Sequence, residues 1–528
     1  MLNRYFSSSA ALTLVVCLCA STSIFPGVAH AQQCNAPYET ITRLHHPEPG
    51  AFMVWDAVHG ERTHEERFMS VVPKADGGVL VLGKVYQSKK TRPHLIIAEF
   101  DRRGRTDWEK IHKIPYVHDV VKIAPDGDGY VALVNLAPPQ ERKKVWLGFF
   151  DGLGNIKSHK ILKSKKHDLT AKDMQPKIDD AGWVISLTSS VMLDKKEGIE
   201  QKSASVIMID RDGKEEASRS YILGKKTEIS SLSVSKSGGE DGGYIATGWF
   251  ENNNGKKIGW VLRLDPDLSI GWQKEFSRGV SANVVTSVIS QSGAVYVGAD
   301  VQATDSQVDG VWAASLDWGS GDILWQRYYM SDEGIHDYTI RDVDVNKDGL
   351  ISLLMMARAN RDAIKEAGDD VVNKMSGFGV HGDSNYAHLL TLTPRGIAIG
   401  GDAFYKGKDA FISQMLHNPM GQRVMVGTAL IEPDLSLDGE VEETGVIPLN
   451  EAGEITLPDV ELSDKTKQGL ALLQKRINAQ DLVQDDDHHA DEEHDKESAE
   501  SEKHDDGYVR KGWVVIGDMS DPYEDPCK

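Results

Sequence analysis

Short apolar stretches alternate with glycine-containing turns along most of the chain, and four of them share one pattern. In each, a Trp stands five positions before an Asp inside an apolar run: Trp146 and Asp151, Trp260 and Asp265, Trp312 and Asp317, Trp513 and Asp518. Short apolar runs bounded by turn residues predict strands buried on both faces. Around them the pattern resolves into a unit of four strands, a to d. Strand a alternates polar and apolar positions and ends in a Gly-containing turn. Strand b follows, as in Asp241 to Gly248, and a loop of variable length leads to strand c, the Trp/Asp phrase. A second tight turn leads to strand d, as in Trp272 to Phe276. The a–b turns fall at Gly78, Gly129, Gly182, Gly243, Gly293, Gly349 and Gly421. The c–d turns begin at Asp101, Asp151, Asp210, Asp265, Asp317, Thr393 and Asp518. Seven turns of each kind predict seven units.

The last unit lacks its strand d after Trp513. A matching strand stands near the N-terminus instead, at Phe52-Met-Val-Trp55. A ring closed by its two ends follows, which predicts an all-β, seven-bladed β-propeller with N- and C-terminal strands in one blade. Such closure leaves no free sheet edge.

The phrase Asp317-Trp-Gly-Ser-Gly-Asp-Ile-Leu-Trp325 resembles the Asp-x-x-Thr/Ser-Gly-x-x-x-Trp docking phrase of exported bacterial β-propellers with quinoprotein-like (PQQ-like) repeats; Gly104-Arg-Thr-Asp-Trp108 keeps part of it. The dehydrogenases of that type have eight blades and an adjacent Cys pair near the cofactor. This sequence has neither, so the resemblance implies the repeat architecture and no activity.

The repeat is uneven in one place. From a–b turn to c–d turn takes 22 to 28 residues in units one to five, 44 in unit six and 97 in unit seven. Both excesses fall in the b–c connection. In a propeller the b–c and d–a connections share one face, so the two insertions are expected to rise together from that face, as working surfaces of repeat proteins do. The first, 357–385, is expected to be partly helical, at Ala363–Ala367 and Val371–Met375. The second, 432–506, contains a capped helix over Ser463–Leu482 with Leu470, Leu472, Leu473 and Ile477 on roughly one side. It ends in an acidic tract, 485–506, too charged to pack a core and expected to be disordered.

Residues 1–31 have the form of a secretory signal peptide: Arg4, an apolar stretch from Ala10 to about Ile24, and Ala29-His-Ala31 before Gln32. Cys17 and Cys19 follow Val16 and Leu18, unlike a lipoprotein Cys, and no later apolar run approaches the ~20 residues of a membrane span. The expected location is periplasmic or secreted, with no integral membrane segment in the mature chain 32–528. Two cysteines remain, Cys34 and Cys527. In an oxidising compartment a ring closed by its ends can pair them as a disulfide; two separate free thiols are the alternative. The formal net charge is −21, and nearly half comes from the tract, with twelve acids against Lys496 and Lys503. The rest is mildly acidic, which argues against nucleic acid and anionic membrane surfaces as partners.

Three groups of residues invite chemistry. The tract carries His488, His489, His494 and His504, which can ligate Zn or another divalent metal weakly; a solvated charge run is the alternative. The d–a connections carry His64-Glu65, His118-Asp119, His167-Asp168 and His336-Asp337, with Glu228, Asn283 and Asp409 at the matching places. In a ring these surround the mouth of the central channel. They form either a polar funnel for a cation or polar ligand, or ties between each loop and an adjacent strand. Asp344-Val-Asn-Lys-Asp348-Gly349 matches the first half of a calcium loop, but Met355 stands where the Glu ligand belongs, so a turn is expected. Gly382-Asp-Ser384 lacks the apolar strand of a hydrolase nucleophile, and His64-Glu65-Glu66-Arg67-Phe68 lacks the second His of a zinc protease.

The reading is a cell-envelope scaffold that binds a protein partner or envelope ligand through its insertion-bearing face. The alternatives are an enzyme with its site in the central funnel and a metal-handling protein.

Overall fold

The computed structural model describes residues 40–44, 53–60, 64–87, 92–194, 199–235, 242–302, 309–331, 334–360, 362–363, 385–431 and 509–517. The chain divides into two compact units, Met1–Ile431 with Arg510–Lys528, and Glu432–Val509. Apart from Val509, the second lies outside the described residues, as do Cys34, Cys527, the predicted helix at Leu470–Ile477 and the tract with His488, His489, His494 and His504.

The first unit is nearly all strand. Two strands open it, β1 (Thr40–Leu44) and β2 (Met53–His59). Consecutive antiparallel meanders follow: β3 (Glu65–Pro73), β4 (Val79–Tyr86), β5 (His94–Phe100) and β6 (Thr106–His112); then β7 (Val117–Asp126), β8 (Gly129–Leu136), β9 (Lys144–Phe150) and β10 (Ile156–Leu162). The third comprises β11 (Asp168–Pro176), β12 (Gly182–Asp194), β13 (Ile199–Asp210) and β14 (Glu215–Tyr221). The fourth comprises β15 (Lys226–Ser235), β16 (Gly243–Glu251), β17 (Lys257–Leu264) and β18 (Ile270–Phe276), and is joined to the third by one parallel pairing, Lys202 with Lys226. The fifth is β19 (Ser281–Ile289), β20 (Ala294–Gln302), β21 (Gly310–Asp317) and β22 (Ile323–Ser331), with β1 added parallel to β22. The sixth is β23 (His336–Val345), β24 (Ile351–Ala359), β25 (Tyr386–Leu392) and β26 (Ala398–Phe404). The last sheet has the order β2, β29 (Val509–Gly517), β28 (Arg423–Ile431) and β27 (Asp409–His417), with Val58 opposite Trp513.

Residue chemistry grades each sheet outward. Second and third strands such as Val79–Val85 are buried on both faces, whereas outer strands such as Ile156–Ile161 are polar and exposed. Seven apolar clusters fill the spaces between sheets, and each draws on two consecutive ones. One of them joins Val424, Val426, Val514 and Ile516 of the last sheet to Phe68, Val79 and Phe100 of the first. The first strands pack in a cyclic order, β3, β7, β11, β15, β19, β23, β27 and back to β3.

An indole on four of the outer strands packs on the turn of the next sheet. Trp55, Trp108, Trp272 and Trp325 lie on Gly104, Gly154, Gly321 and Gly396 in the c–d turn of the next sheet. A Cβ added at those glycines would come within 2.7, 2.5, 2.8 and 2.6 Å of the indoles. Two of the indoles also donate Nε1–H to that turn, Trp272 to Trp318 O and Trp325 to Pro394 O, both at 2.8 Å. The third sheet has Ala217 four residues after its turn Gly213, where the first and fifth sheets have Trp. The facing turn of the fourth sheet then holds Leu268, at φ 67° and 1 % exposed, instead of Gly. The turns themselves are closed by side-chain acceptors: Asp101, Asp151 and Asp210 each accept amides two and four residues on. Asn346 does the same for Asp348 and Leu350, so the calcium-like phrase is a turn.

The first long b–c connection begins later than its sequence bounds implied, because Ala357–Ala359 belong to β24. Asn360 Oδ1 then accepts the amide of Ala363 at 3.1 Å, an N-cap geometry. Residues 364–384 lie outside the described residues.

Candidate functional site: the axial cavity

Every first strand is interrupted where it pairs with the second, and β7 has a further shift at Val117/Asp119. The register shifts fall at Phe68/Ser70, Val120/Lys122, Ala171/Asp173, Ile229/Ser231, Val284/Thr286, Ile340/Asp342 and Ile412/Gln414. A bulge re-aims side chains and tightens the local twist. Here it points one residue per strand to the axis: Met69, Val121, Lys172, Ser230, Val285, Arg341 and Ser413 line a cavity of about 380 Å³.

The residue after each bulge ties neighbouring strands together. Ser70 donates to Gln414 Oε1 at 2.8 Å, and the same oxygen accepts the Val71 amide at 2.9 Å. Ser70 Oγ in turn accepts the Ile123 amide at 3.1 Å. Lys122 meets Asp173 at 2.7 Å, and the other oxygen of Asp173 accepts the Leu232 amide at 2.8 Å. Ser233 donates to Ser287 O at 2.7 Å. Thr286 donates to Asp342 at 3.2 Å, and Asp342 accepts the Met415 amide at 3.0 Å. These bonds link all seven inner strands in sequence. A buried amide whose partner is removed costs ~1–3 kcal/mol, so the belt resists local opening.

The electrostatics are uneven around the ring. Burial pushes Asp342 up to about 7, with the Met415 amide opposing. Burial also pushes Asp300 up to about 6, against the Ile340 amide it accepts at 2.7 Å. Burial and then Arg358 depress Arg341, while Asp300 opposes them. Lys172 is paired with Glu228 at 2.7 Å, and Asp344 with His417 at 2.8 Å.

The His-acid pairs of the d–a connections lie between neighbouring sheets. Their acids are ties between sheets. Asp168 accepts the Lys143 amide at 2.9 Å while Leu169 donates back to Lys143 O at 3.0 Å. Asp337 and Asp409 repeat this with Asp309 and Asn385. Pro93 occupies the matching place before β5 and has no N–H, so Asp119 is met by Lys84 at 3.3 Å instead. Of the imidazoles, His336 is buried edge-on against Tyr386, whereas the largely exposed His118 is held below its usual value by partial desolvation of its ring, then by Lys143. The backbone carbonyl of His64 accepts Lys511 Nζ at 3.0 Å, and the His167 amide donates to Ser164. Among the described residues no three His, Cys, Asp or Glu side chains converge as metal ligands. A second ring of polar residues lies at the bulges. One signal for it was available. Lys122, Thr286, Asp342 and Gln414 each stand seven positions before the a–b glycine of their unit.

No family model matches the chain, and no curated protein matches it. Among solved structures it is similar to the quinohemoprotein alcohol dehydrogenase ADHIIG of Pseudomonas putida HK5, at 10% identity over 78% of this chain and 72% of that one, TM-score 0.40. It is also similar to a europium-containing methanol dehydrogenase, at 9% identity over 93% of this chain and 100% of that one, TM-score 0.35. A third is the β-propeller domain of the Trilobed protease of Pyrococcus furiosus, at 10% identity over 68% of this chain and 91% of that one, TM-score 0.36. These likenesses fix no activity, ligand or partner for this chain. The β-propeller assignment stands on the strand pairing above.

Proposed function

We propose that this chain is an exported, seven-bladed propeller with quinoprotein-like repeats that serves as a rigid binding scaffold in the periplasm or outside the cell. Its working surface is the face bearing the b–c connections, and its occupant is a protein partner or envelope ligand. The observation that carries this reading is the commitment of the polar groups. The acids at the channel mouth and most of those along the axis hold neighbouring sheets together, which suits a platform. The cyclic packing order of the inner strands supports a closed ring, and the signal-peptide pattern supports export. In that compartment Cys34 and Cys527 pair; thiol labelling of the unfolded exported protein should find no free thiol, and two per chain would refute the pairing.

The scaffold reading is tested by crosslinking in the native envelope, followed by mass spectrometry. The intact chain is compared with one in which 432–506 is replaced by a short Gly/Ser turn. Crosslinked partners should be lost from the shortened chain while its thermal unfolding stays unchanged. Retention of the same partners would sink the assignment of the surface.

A further inference from the structure

Among the described residues that line the axial cavity, Arg341 is the one cation without a direct ion pair. Arg341 is the bulge residue of β23 and lines the cavity wall. Of the other lining residues, Lys122 is paired with Asp173 and Lys172 with Glu228, and Asp344 is hydrogen-bonded to His417. Asp342, next to Arg341 in sequence, is occupied by Thr286 and by the amides of Val343 and Met415. Arg341 makes no hydrogen bond or ion pair among the described residues; Asp300 and Arg358 act on it by charge alone. A guanidinium carries five N–H donors in a planar fork, and Arg341 is only half-buried, so its donors remain open to a ligand.

The surroundings say what kind of partner would fit. On β23 pack β19, β20, β21 and β22 from one neighbouring sheet and β27 from the other; Asp300, on β20, is the carboxylate that acts on Arg341 by charge. From β19 come Val285, Val288 and Ile289, an apolar wall; from β27 come Ser413 and Leu416. A metal cation would be repelled by Arg341. A phosphate dianion would meet one unmatched positive charge with the carboxylates of Asp342 and Asp344 in the same wall. A planar monoanion matches the fork bidentately, and its remaining atoms need apolar contact. A cavity of about 380 Å³ is of the size that small organic ligands occupy.

We propose that the axial cavity binds a small organic carboxylate, its carboxyl group on Arg341 and its apolar body against Val285, Val288 and Ile289. This goes beyond the scaffold reading and rests only on the ring of inner strands, not on any partner at the b–c face.

The test uses the full mature chain and hexanoate as probe, read by isothermal titration and by saturation-transfer NMR of the hexanoate protons. Hexanoate should bind. Hexanamide, the same shape without the charge, should bind at least tenfold more weakly, and inorganic phosphate should not compete. Arg341→Gln should weaken hexanoate at least tenfold, and Arg341→Lys should restore part of the loss. Val285→Phe, which narrows the cavity beside Arg341 and leaves Arg341 in place, should weaken hexanoate binding at least tenfold even if Arg341→Gln fails to fold. Replacing 432–506 should leave hexanoate binding unchanged, so failure of the scaffold reading and failure of this one give different results. No binding by the intact chain, equal binding of the amide, or equal binding by folded Arg341→Gln or Val285→Phe would overturn it.

Discussion

The fifth and seventh sheets are built from the same pattern but closed differently. In the fifth, the third and fourth strands are joined by a covalent turn, where Asp317 accepts the Ser320 amide at 2.8 Å. In the last sheet the third strand is C-terminal and the fourth is N-terminal, so hydrogen bonds between β29 and β2 do the joining. Both fourth strands dock an indole on the next sheet, Trp325 on Gly396 and Trp55 on Gly104. The N-terminal strand carries more besides. Asp56 accepts Trp513 Nε1–H at 3.1 Å and meets Lys406 at 2.7 Å. His59 lies between Glu66 at 2.7 Å and Glu109 at 2.9 Å, edge-on to Phe100. Where the covalent turn is missing, two polar clamps hold β2: Asp56 bonds across the β2–β29 seam and His59 anchors β2 to the first sheet.

The largest effect should come from removing the strand that makes this closure. A chain ending at 507 loses Trp513, Val514, Val515 and Ile516, all at most 1 % exposed, and bares the edges of β28 and β2. It should aggregate or show no cooperative unfolding by circular dichroism. A cooperative transition near that of the full chain would mean that the last sheet closes nothing.

Next come the docked indoles. Trp325→Ala should cost about 3–5 kcal/mol, because the ring is buried against the Gly396 turn and its Nε1–H bond is lost with it. Trp55→Ala should cost about as much, although its ring is less buried, if the seam depends on it as the comparison implies. Chemical denaturation of both variants measures this. A Trp55→Ala cost well under 1 kcal/mol would show that the polar clamps alone hold β2.

The clamps themselves are read by pH. The carboxylates of Glu109 and Glu66 raise His59 to about 9 against the effect of burial. The folded value lies above the unfolded one, so the stabilisation is complete below about pH 6.5 and is lost as pH rises through about 9. The shift converts to at most about 3 kcal/mol, reduced because Glu109 is 44% exposed. His59→Gln should therefore be less stable than the unaltered chain by roughly 2 kcal/mol at pH 6, and the two should converge by pH 10. A difference that does not change with pH would assign His59 a packing role only.

Most of the fold was legible in the sequence because it rests on local, repeated chemistry. The Trp/Asp phrases mark strands whose burial needs apolar runs, and the turn glycines mark places where an indole comes within van der Waals reach. The candidate site was less legible. The His-acid pairs stood out by residue type, yet an acid that accepts a neighbouring amide looks the same in sequence as one that awaits a ligand. Arg341 was missed for the opposite reason. It sits in an alternating strand where a charged residue is expected on a solvated face, and only the bulge after Ile340 turns it to the axis.

The smallest effect on stability should come from the tract 485–506, which carries nearly half of the net charge. Twelve acids against two lysines repel one another when brought together, and the segment has few apolar residues to bury, so its removal should leave the melting temperature nearly unchanged. Its four imidazoles, His488, His489, His494 and His504, should nonetheless hold Zn²⁺ weakly. The acids draw the cation in and the ring nitrogens ligate it, but ordering a chain of this composition opposes tight binding. The expected affinity is on the order of micromolar or weaker, falling as pH drops through about 6.5 and the imidazoles take up protons. Calorimetric titration of the intact and tract-deleted chains decides the matter. Loss of zinc binding with an unchanged melting temperature is the expected result. Equal zinc binding by both chains would move the metal to the d–a connections, at His64, His118, His167 and His336. A large drop in melting temperature on deletion would mean that the tract belongs to the packed structure after all.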